Sequence, residues 1–261
     1  VNDSAGLDMP LYSSGKEVEI TNDYLKRPLE VGKTVVYDRE SQEETEKVKE
    51  KTFLMTVKVD GELLKNYPYT LKENGIATGS GQTDENGQFP LKDGQTAVFK
   101  DVGMVGTPFE VEETQDADYP QIYPAETKPH TGTLGNEGSS VSFVNGTQDS
   151  LVITKEYEGA DETAKEYIEL MKDTQSLEGM GIRNKAAVSL HMEVTRKGQQ
   201  QPSVWPDDFY NMARVTVVDT LTGKTYTKYW DERKNFTLKP WETLIIPRYP
   251  WLANKDRKSV V

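Results

Sequence analysis

The residues best placed for chemistry are a lysine, an asparagine and a glutamate, each at the end of a short strand-like segment. These segments are Leu29–Lys33, Val141–Asn145 and Phe109–Glu113. In each segment the first and third residues are apolar. Because side chains alternate between the two faces of a strand, the fifth residue falls on the same face as the apolar ones. The pattern therefore predicts that one domain buries Lys33, Asn145 and Glu113 together.

A buried lysine beside a buried carboxylic acid could react with the asparagine side chain. Desolvation lowers the pKa of an amine and raises that of a carboxyl group, so the pair can exchange a proton and leave a neutral amine beside a protonated acid. The amine is then a nucleophile next to an electrophilic carboxamide. The acid can polarise the carbonyl and pass protons to the departing ammonia. The predicted product is a Lys–Asn isopeptide bond, made once and without a cofactor.

The same pattern, called inward parity when a residue shares the strand face of the apolar residues, occurs twice more in the chain. Leu151–Lys155 ends on an inward lysine, and Val18–Asn22 ends on an inward asparagine. A second cross-link, between Lys155 of one molecule and Asn22 of another, is therefore a hypothesis. The competing interpretation is structural: a lysine at a strand end can extend its ammonium to solvent, and an asparagine before glycine, as in Asn145-Gly146, is common in turns.

These segments belong to an internal repeat. Val18–Asn22 resembles Val141–Asn145, and Leu29–Lys33 resembles Leu151–Lys155, at spacings of 123 and 122 residues. We therefore predict three parts: residues 1–28, the terminal strand of a preceding repeat with a linker; residues 29–148, a complete unit; and residues 149–261, an incomplete second unit with an insertion near 158–185.

Both units show the alternation of half-buried strands. Apolar residues recur at every second position, as in Phe53–Val57 and Val188–Val194, between turn sequences such as Glu73-Asn74-Gly75. The predicted fold is all-β, with tandem antiparallel Greek-key β-sandwiches of the immunoglobulin-like or prealbumin-like kind. Apolar spacing over 161–172 predicts a short helix in the insertion, and the charged stretch Arg39–Lys51 is predicted to be a solvated linker or loose helix.

Composition argues against several classes of function. The chain of 261 residues has no cysteine and two histidines, which excludes disulfides and thiolate chemistry and leaves little material for a metal site. A net charge of −12 argues against nucleic acid as a partner. No apolar run is long enough to cross a membrane. We therefore expect no cofactor, no metal and no membrane insertion.

The order of the motifs resembles that of the collagen-adhesin B-type (CnaB-like) domains of Gram-positive surface adhesins and pilins. The order is a strand-ending Lys33, then Val-Glu-Glu ending at Glu113, then Val-Ser-Phe-Val-Asn ending at Asn145. The resemblance covers residues 29–147 well and residues 150–261 in part. It implies an isopeptide bond from Lys33 to Asn145 assisted by Glu113; Glu112 has the outward parity and is disfavoured as the acid.

The resemblance also implies a function. It predicts a stalk module of a secreted, cell-wall-anchored protein of a Gram-positive surface, with neighbouring repeats as partners and no enzymatic turnover. Head-to-tail self-assembly through residues 16–22 is a further hypothesis, to be weighed against the chain being a piece of a longer protein. The alternative function is a ligand-binding adhesin domain that recognises a host protein or glycan through four tryptophans of the second unit: Trp205, Trp230, Trp241 and Trp251.

Overall fold

The fold is all-β, as the alternation predicts. The computed structural model describes residues 25–125, 129–154, 188–191, 215–220, 223–229, 235–239 and 241–247, and these ranges hold seventeen strands and one helix. The first unit contains β1 (Arg27–Val36), α1 (Gln42–Glu50), β2 (Phe53–Val59), β3 (Glu62–Leu63), β4 (Pro68–Glu73), β5 (Ile76–Gln82), β6 (Gln88–Leu91), β7 (Gln95–Gly103), β8 (Pro108–Glu113), β9 (Gln121–Tyr123), β10 (His130–Thr133) and β11 (Ser139–Gly146). The second unit contains β12 (Leu151–Thr154), β13 (Val188–His191), β14 (Val215–Asp219), β15 (Thr225–Lys228), β16 (Asn235–Leu238) and β17 (Glu242–Ile246).

The first unit is a sandwich of two sheets. One sheet has the strand order β5-β4-β7-β1-β11-β9, and the other has the order β10-β8-β2-β3, with β6 also paired to β2. Alternate residues of both sheets meet in a single hydrophobic core, which includes Leu29, Val31, Met55, Phe99, Val111 and Phe143. Burial of these side chains supplies the main driving force for the fold.

The first and last strands of this unit are adjacent and parallel. Strand β1 pairs with β11 from Leu29 opposite Ser139 to Val36 opposite Gly146. The other strand pairs of the described residues are antiparallel, so this pair is the one departure from the predicted antiparallel arrangement. Because the two strands run in the same direction, their carboxyl ends lie at the same end of the sheet.

The charged stretch after β1 is a helix, α1, rather than an open linker. Ser41 caps its amino end, with the hydroxyl accepting a hydrogen bond from the Glu44 backbone N–H at 3.2 Å. Glutamates in the first turn and lysines in the last turn suit the helix dipole. Val48 is buried and anchors the helix to the sandwich core.

The second unit repeats the strand order of the first. Its sheets, β12-β17-β14-β15 and β13-β16, correspond to β1-β7-β4-β5 and β2-β6. The registers agree as well, since Leu190 lies opposite Phe236 as Met55 lies opposite Phe89. The predicted helix at 161–172 and the insertion around it lie outside the described residues.

The two units pack against each other. Val36 and Val144, on the outer face of the first sandwich, form a small apolar cluster with Val218 and Ile245 of the second unit. This contact buries Val144 although its parity on β11 is outward. The chain passes directly from β11 to β12 in the sequence, and the joint between the units is therefore close and apolar.

Candidate cross-linking site

Three polar side chains meet in the core of the first unit. Lys33 is 2% exposed, Glu113 is 3% exposed and Asn145 is fully buried. The Lys33 Nζ donates a hydrogen bond to Glu113 Oε2 at 2.7 Å and another to Asn145 Oδ1. The Asn145 Nδ2 donates to Glu113 Oε1. Each of the three side chains therefore contacts the other two.

The strands explain why these side chains meet. Lys33 on β1 lies opposite Phe143 on β11, so Asn145 is two positions further along the parallel partner and on the same face. Glu113 comes from β8 of the facing sheet, where it lies opposite Met55. Glu112 is exposed, as its outward parity predicts. The glutamate thus reaches across the sandwich to a lysine and an asparagine that share one sheet.

The amide of Asn145 has a defined orientation. One hydrogen of Nδ2 is donated to Glu113 Oε1 and the other to the backbone oxygen of Tyr119, at 2.8 Å. A backbone carbonyl can only accept, so the nitrogen end of the amide must face it. Glu113 therefore contacts the amide nitrogen and not the carbonyl oxygen, which differs from the carbonyl-polarising role expected from the sequence. It lies where it can pass a proton to the departing nitrogen.

Burial makes Lys33 easier to deprotonate than an exposed lysine. Burial lowers the pKa of Lys33 from 10.5 to about 8, although the neighbouring Glu113 carboxylate opposes this shift. The Nζ lies 4.0 Å from the centre of the Phe53 ring, whose face favours the charged amine, so burial is the effect that lowers the pKa. A substantial fraction of this lysine is therefore uncharged at mildly alkaline pH, and an uncharged amine is nucleophilic.

Sequence reasoning did not identify the residues that surround the trio. Tyr119 supplies its carbonyl, and Phe53 supplies its ring. Asp116 accepts hydrogen bonds from the backbone N–H groups of Asp118 and Tyr119. An aspartate followed closely by a turn is a recognisable signal for such a motif, but a backbone carbonyl leaves no mark on the sequence.

Of the other residues that the sequence singles out for cross-linking or ligand binding, Trp241 alone lies in the part of the chain that the structure describes. Lys155 and Asn22 lie outside the described residues, so a second cross-link between them stays a prediction. Trp241 is 3% exposed and buried in the second unit. The remaining tryptophans, at positions 205, 230 and 251, lie outside the described residues. Trp241 is therefore a core residue and not part of an exposed aromatic surface.

One family model matches part of the chain. The family model described as "Domain of unknown function (DUF7601)" matches residues 27–147, from β1 to the end of β11. No curated protein matches the chain. Across the described residues, no helix is both long enough and apolar enough to span a membrane.

Similar solved structures are pilus proteins. The pilus-presented adhesin Spy0125 (Cpa) is 15% identical, with 47% of this chain and 28% of that chain covered and a TM-score of 0.33. The major pilin T-13 from Streptococcus pyogenes is 13% identical over 48% of this chain and 46% of that chain, with a TM-score of 0.30. A further major pilin from Streptococcus pyogenes is 16% identical over 47% and 48%, with a TM-score of 0.31. The chain thus spans less than half the length of each of these three structures.

Proposed function

We propose that this chain is a structural stalk module of a Gram-positive cell-surface adhesin or pilus-like protein, held together by an autocatalytic isopeptide bond between Lys33 and Asn145. The observation that carries the proposal is the mutual contact of buried Lys33, Glu113 and Asn145. A buried ion pair is costly, and apolar residues of similar size often stabilise a core at least as well. A chemical role accounts for this trio better than a stabilising role does.

The reaction balances without any added reagent. The neutral amine of Lys33 attacks Cγ of Asn145, and a bond forms between Nζ and Cγ. The bond between Cγ and Nδ2 breaks. Glu113 takes a proton from Nζ and delivers it to Nδ2, which leaves as ammonia, and Glu113 ends in its starting state.

The reaction consumes its own lysine and asparagine, so we propose a single event and no enzymatic turnover. The product is a covalent cross-link that needs no oxidant, in a chain that has no cysteine for disulfides. Such a cross-link suits a protein outside the cell, where chaperones cannot refold it. We therefore propose a cell-wall-anchored location, with neighbouring repeats of the same protein as partners.

The strand arrangement supports a mechanical role. A pull on the two ends of the first unit loads the start of β1 and the end of β11, and these strands are parallel neighbours. The load then shears their hydrogen bonds together instead of opening them one at a time. A bond from Lys33 to Asn145 would carry the load directly between the two strands and bypass the rest of the unit.

Single-molecule force spectroscopy on the full chain tests this proposal. The bond would exclude from extension the 112 Cα-to-Cα steps between Lys33 and Asn145, or about 390 Å at roughly 3.5 Å per step. The double variant Lys33→Met with Glu113→Gln cannot form the bond and should release this length. Glu112→Gln, with its exposed side chain, is the matched control and should extend like the wild type. Equal extension of the wild type and the double variant would contradict the proposal.

A further inference from the structure

The Tyr119 carbonyl holds one side of the reacting amide. It accepts one hydrogen of the Asn145 Nδ2 at 2.8 Å, while Glu113 accepts the other. Two acceptors on one nitrogen fix the plane of the amide, and with it the face that Cγ presents to Lys33. Attack on a carbonyl carbon depends strongly on such alignment. A loop carbonyl can provide it only if the loop itself is held in place.

Asp116 holds the loop of residues 114–120. Its Oδ1 accepts hydrogen bonds from the backbone N–H groups of Asp118, at 3.0 Å, and Tyr119, at 3.1 Å. Its Oδ2 forms an ion pair with the Nζ of Lys51. The side chains of Lys51 and Asp116 are 27% and 19% exposed, so solvent screens the pair only in part.

Lys51 is in turn fixed by α1. It caps the carboxyl end of the helix, and its backbone N–H donates to the carbonyls of Lys47 and Val48, both at 3.1 Å. Val48 is buried in the core. The Nζ of Lys51 also lies 5.6 Å from the centre of the Tyr119 ring, which packs edge-on against Phe53 at 6.1 Å. The helix therefore connects the core to the loop through one side chain.

We infer that the Lys51–Asp116 ion pair is a positioning element for the cross-link, holding the loop so that the Tyr119 carbonyl orients the Asn145 amide for attack. This inference rests on the proposed function. Neither Lys51 nor Asp116 touches the reacting atoms, so both are positioning residues and not catalytic ones. The helix that follows β1 thereby gains a role in the chemistry beyond its packing.

The rate of bond formation tests the inference. The full chain is made by cell-free translation, and samples quenched in denaturant are weighed by mass spectrometry to follow the loss of one ammonia. Lys51→Met and Asp116→Asn should each slow the reaction by roughly 10- to 100-fold, the cost of a small misalignment. Lys51→Arg keeps the charge and should retain most of the rate. The variant that combines Lys51→Met with Asp116→Asn should react no more slowly than either single variant, because each single change already removes the ion pair.

A matched control separates positioning from general stability. Lys58→Met removes the ion pair between Lys58 and Glu110, whose charged atoms lie 2.6 Å apart. This pair joins β2 to β8 on the surface of the sheet that carries Glu113. The structural cost of each change is measured as the shift in melting temperature in an Asn145→Ala background, where no bond can form. Lys51→Met and Lys58→Met should shift it by similar amounts, while only Lys51→Met should slow the reaction.

The outcomes distinguish this inference from the proposed function. If the wild type forms the bond but Lys51→Met and Asp116→Asn react at the wild-type rate, the inference is overturned and the proposed function stands. Equal slowing by Lys58→Met would also overturn it, because the effect would then follow stability alone. A wild type that never loses ammonia would overturn both.

Discussion

Removal of the cross-link should lower the thermal stability of the first unit by about 20 °C. The perturbation is the double variant Lys33→Met with Glu113→Gln, which replaces both buried charged side chains with uncharged side chains of similar volume. A single Lys33→Ala change would leave the Glu113 carboxylate buried without its cation, and that alone can cost about 3–5 kcal/mol. The double variant therefore isolates the bond more cleanly than either single variant does.

The magnitude follows from the size of the closed loop. The bond would link residues 112 positions apart, and the chain-entropy estimate for a loop of that size is about 5 kcal/mol. For a unit of this length, 1 kcal/mol changes the melting temperature by roughly 4 °C, which gives the shift of about 20 °C. The same double change in an Asn145→Ala background should shift the melting temperature by a few degrees at most.

The assay can follow each unit separately. All four tryptophans lie in the second unit, so tryptophan fluorescence reports its unfolding, while far-UV circular dichroism reports both units. The part of the circular dichroism signal that comes from the first unit should melt about 20 °C lower, and the fluorescence transition of the second unit should move much less. If the wild type carries the bond but the double variant melts within about 5 °C of it, the loop-closure reasoning is wrong.

Three further predictions concern the acid, the pH and assembly. Glu113→Gln should fold but keep its full mass, because Gln cannot carry the proton, whereas Glu112→Gln should lose ammonia normally; the reverse result, by mass spectrometry, would contradict the assigned role. The rate of bond formation should rise about tenfold per pH unit below pH 8 and level off above it, because the Lys33 pKa is lowered to about 8 and the neutral amine reacts. A rate that is flat from pH 6 to pH 9 would instead mean that proton exchange with Glu113 supplies the neutral amine. If Lys155 cross-links to Asn22 of a neighbour, denaturing electrophoresis of the full chain should show a ladder of multimers that Asn22→Ala abolishes; a single monomer band would rule out that cross-link.

The strand parity was informative because it is a local property. Side chains alternate along a paired strand whatever its neighbours are, so the inward positions of Lys33, Glu113 and Asn145 could be predicted from a few residues around each. All three are buried in the structure. The same reasoning placed Glu112 outside, and it is exposed.

Non-local features could not be predicted in this way. The parallel pairing of β1 with β11 depends on how more than a hundred residues are routed between them. Val144 has outward parity and is nevertheless buried, because the second unit covers that face. The contact from the Tyr119 carbonyl involves a backbone atom, which every residue has, so no residue type marks it. Only the folded arrangement reveals these three features.

The mass of the intact, denatured wild-type chain tests the central claim most directly. Contacts among Lys33, Glu113 and Asn145 predict that the chain is lighter than its sequence mass by one ammonia. After proteolysis, a branched peptide should join Lys33 to Asn145, and it should be missing from Asn145→Ala. An unmodified mass for the folded, purified wild type would contradict the account.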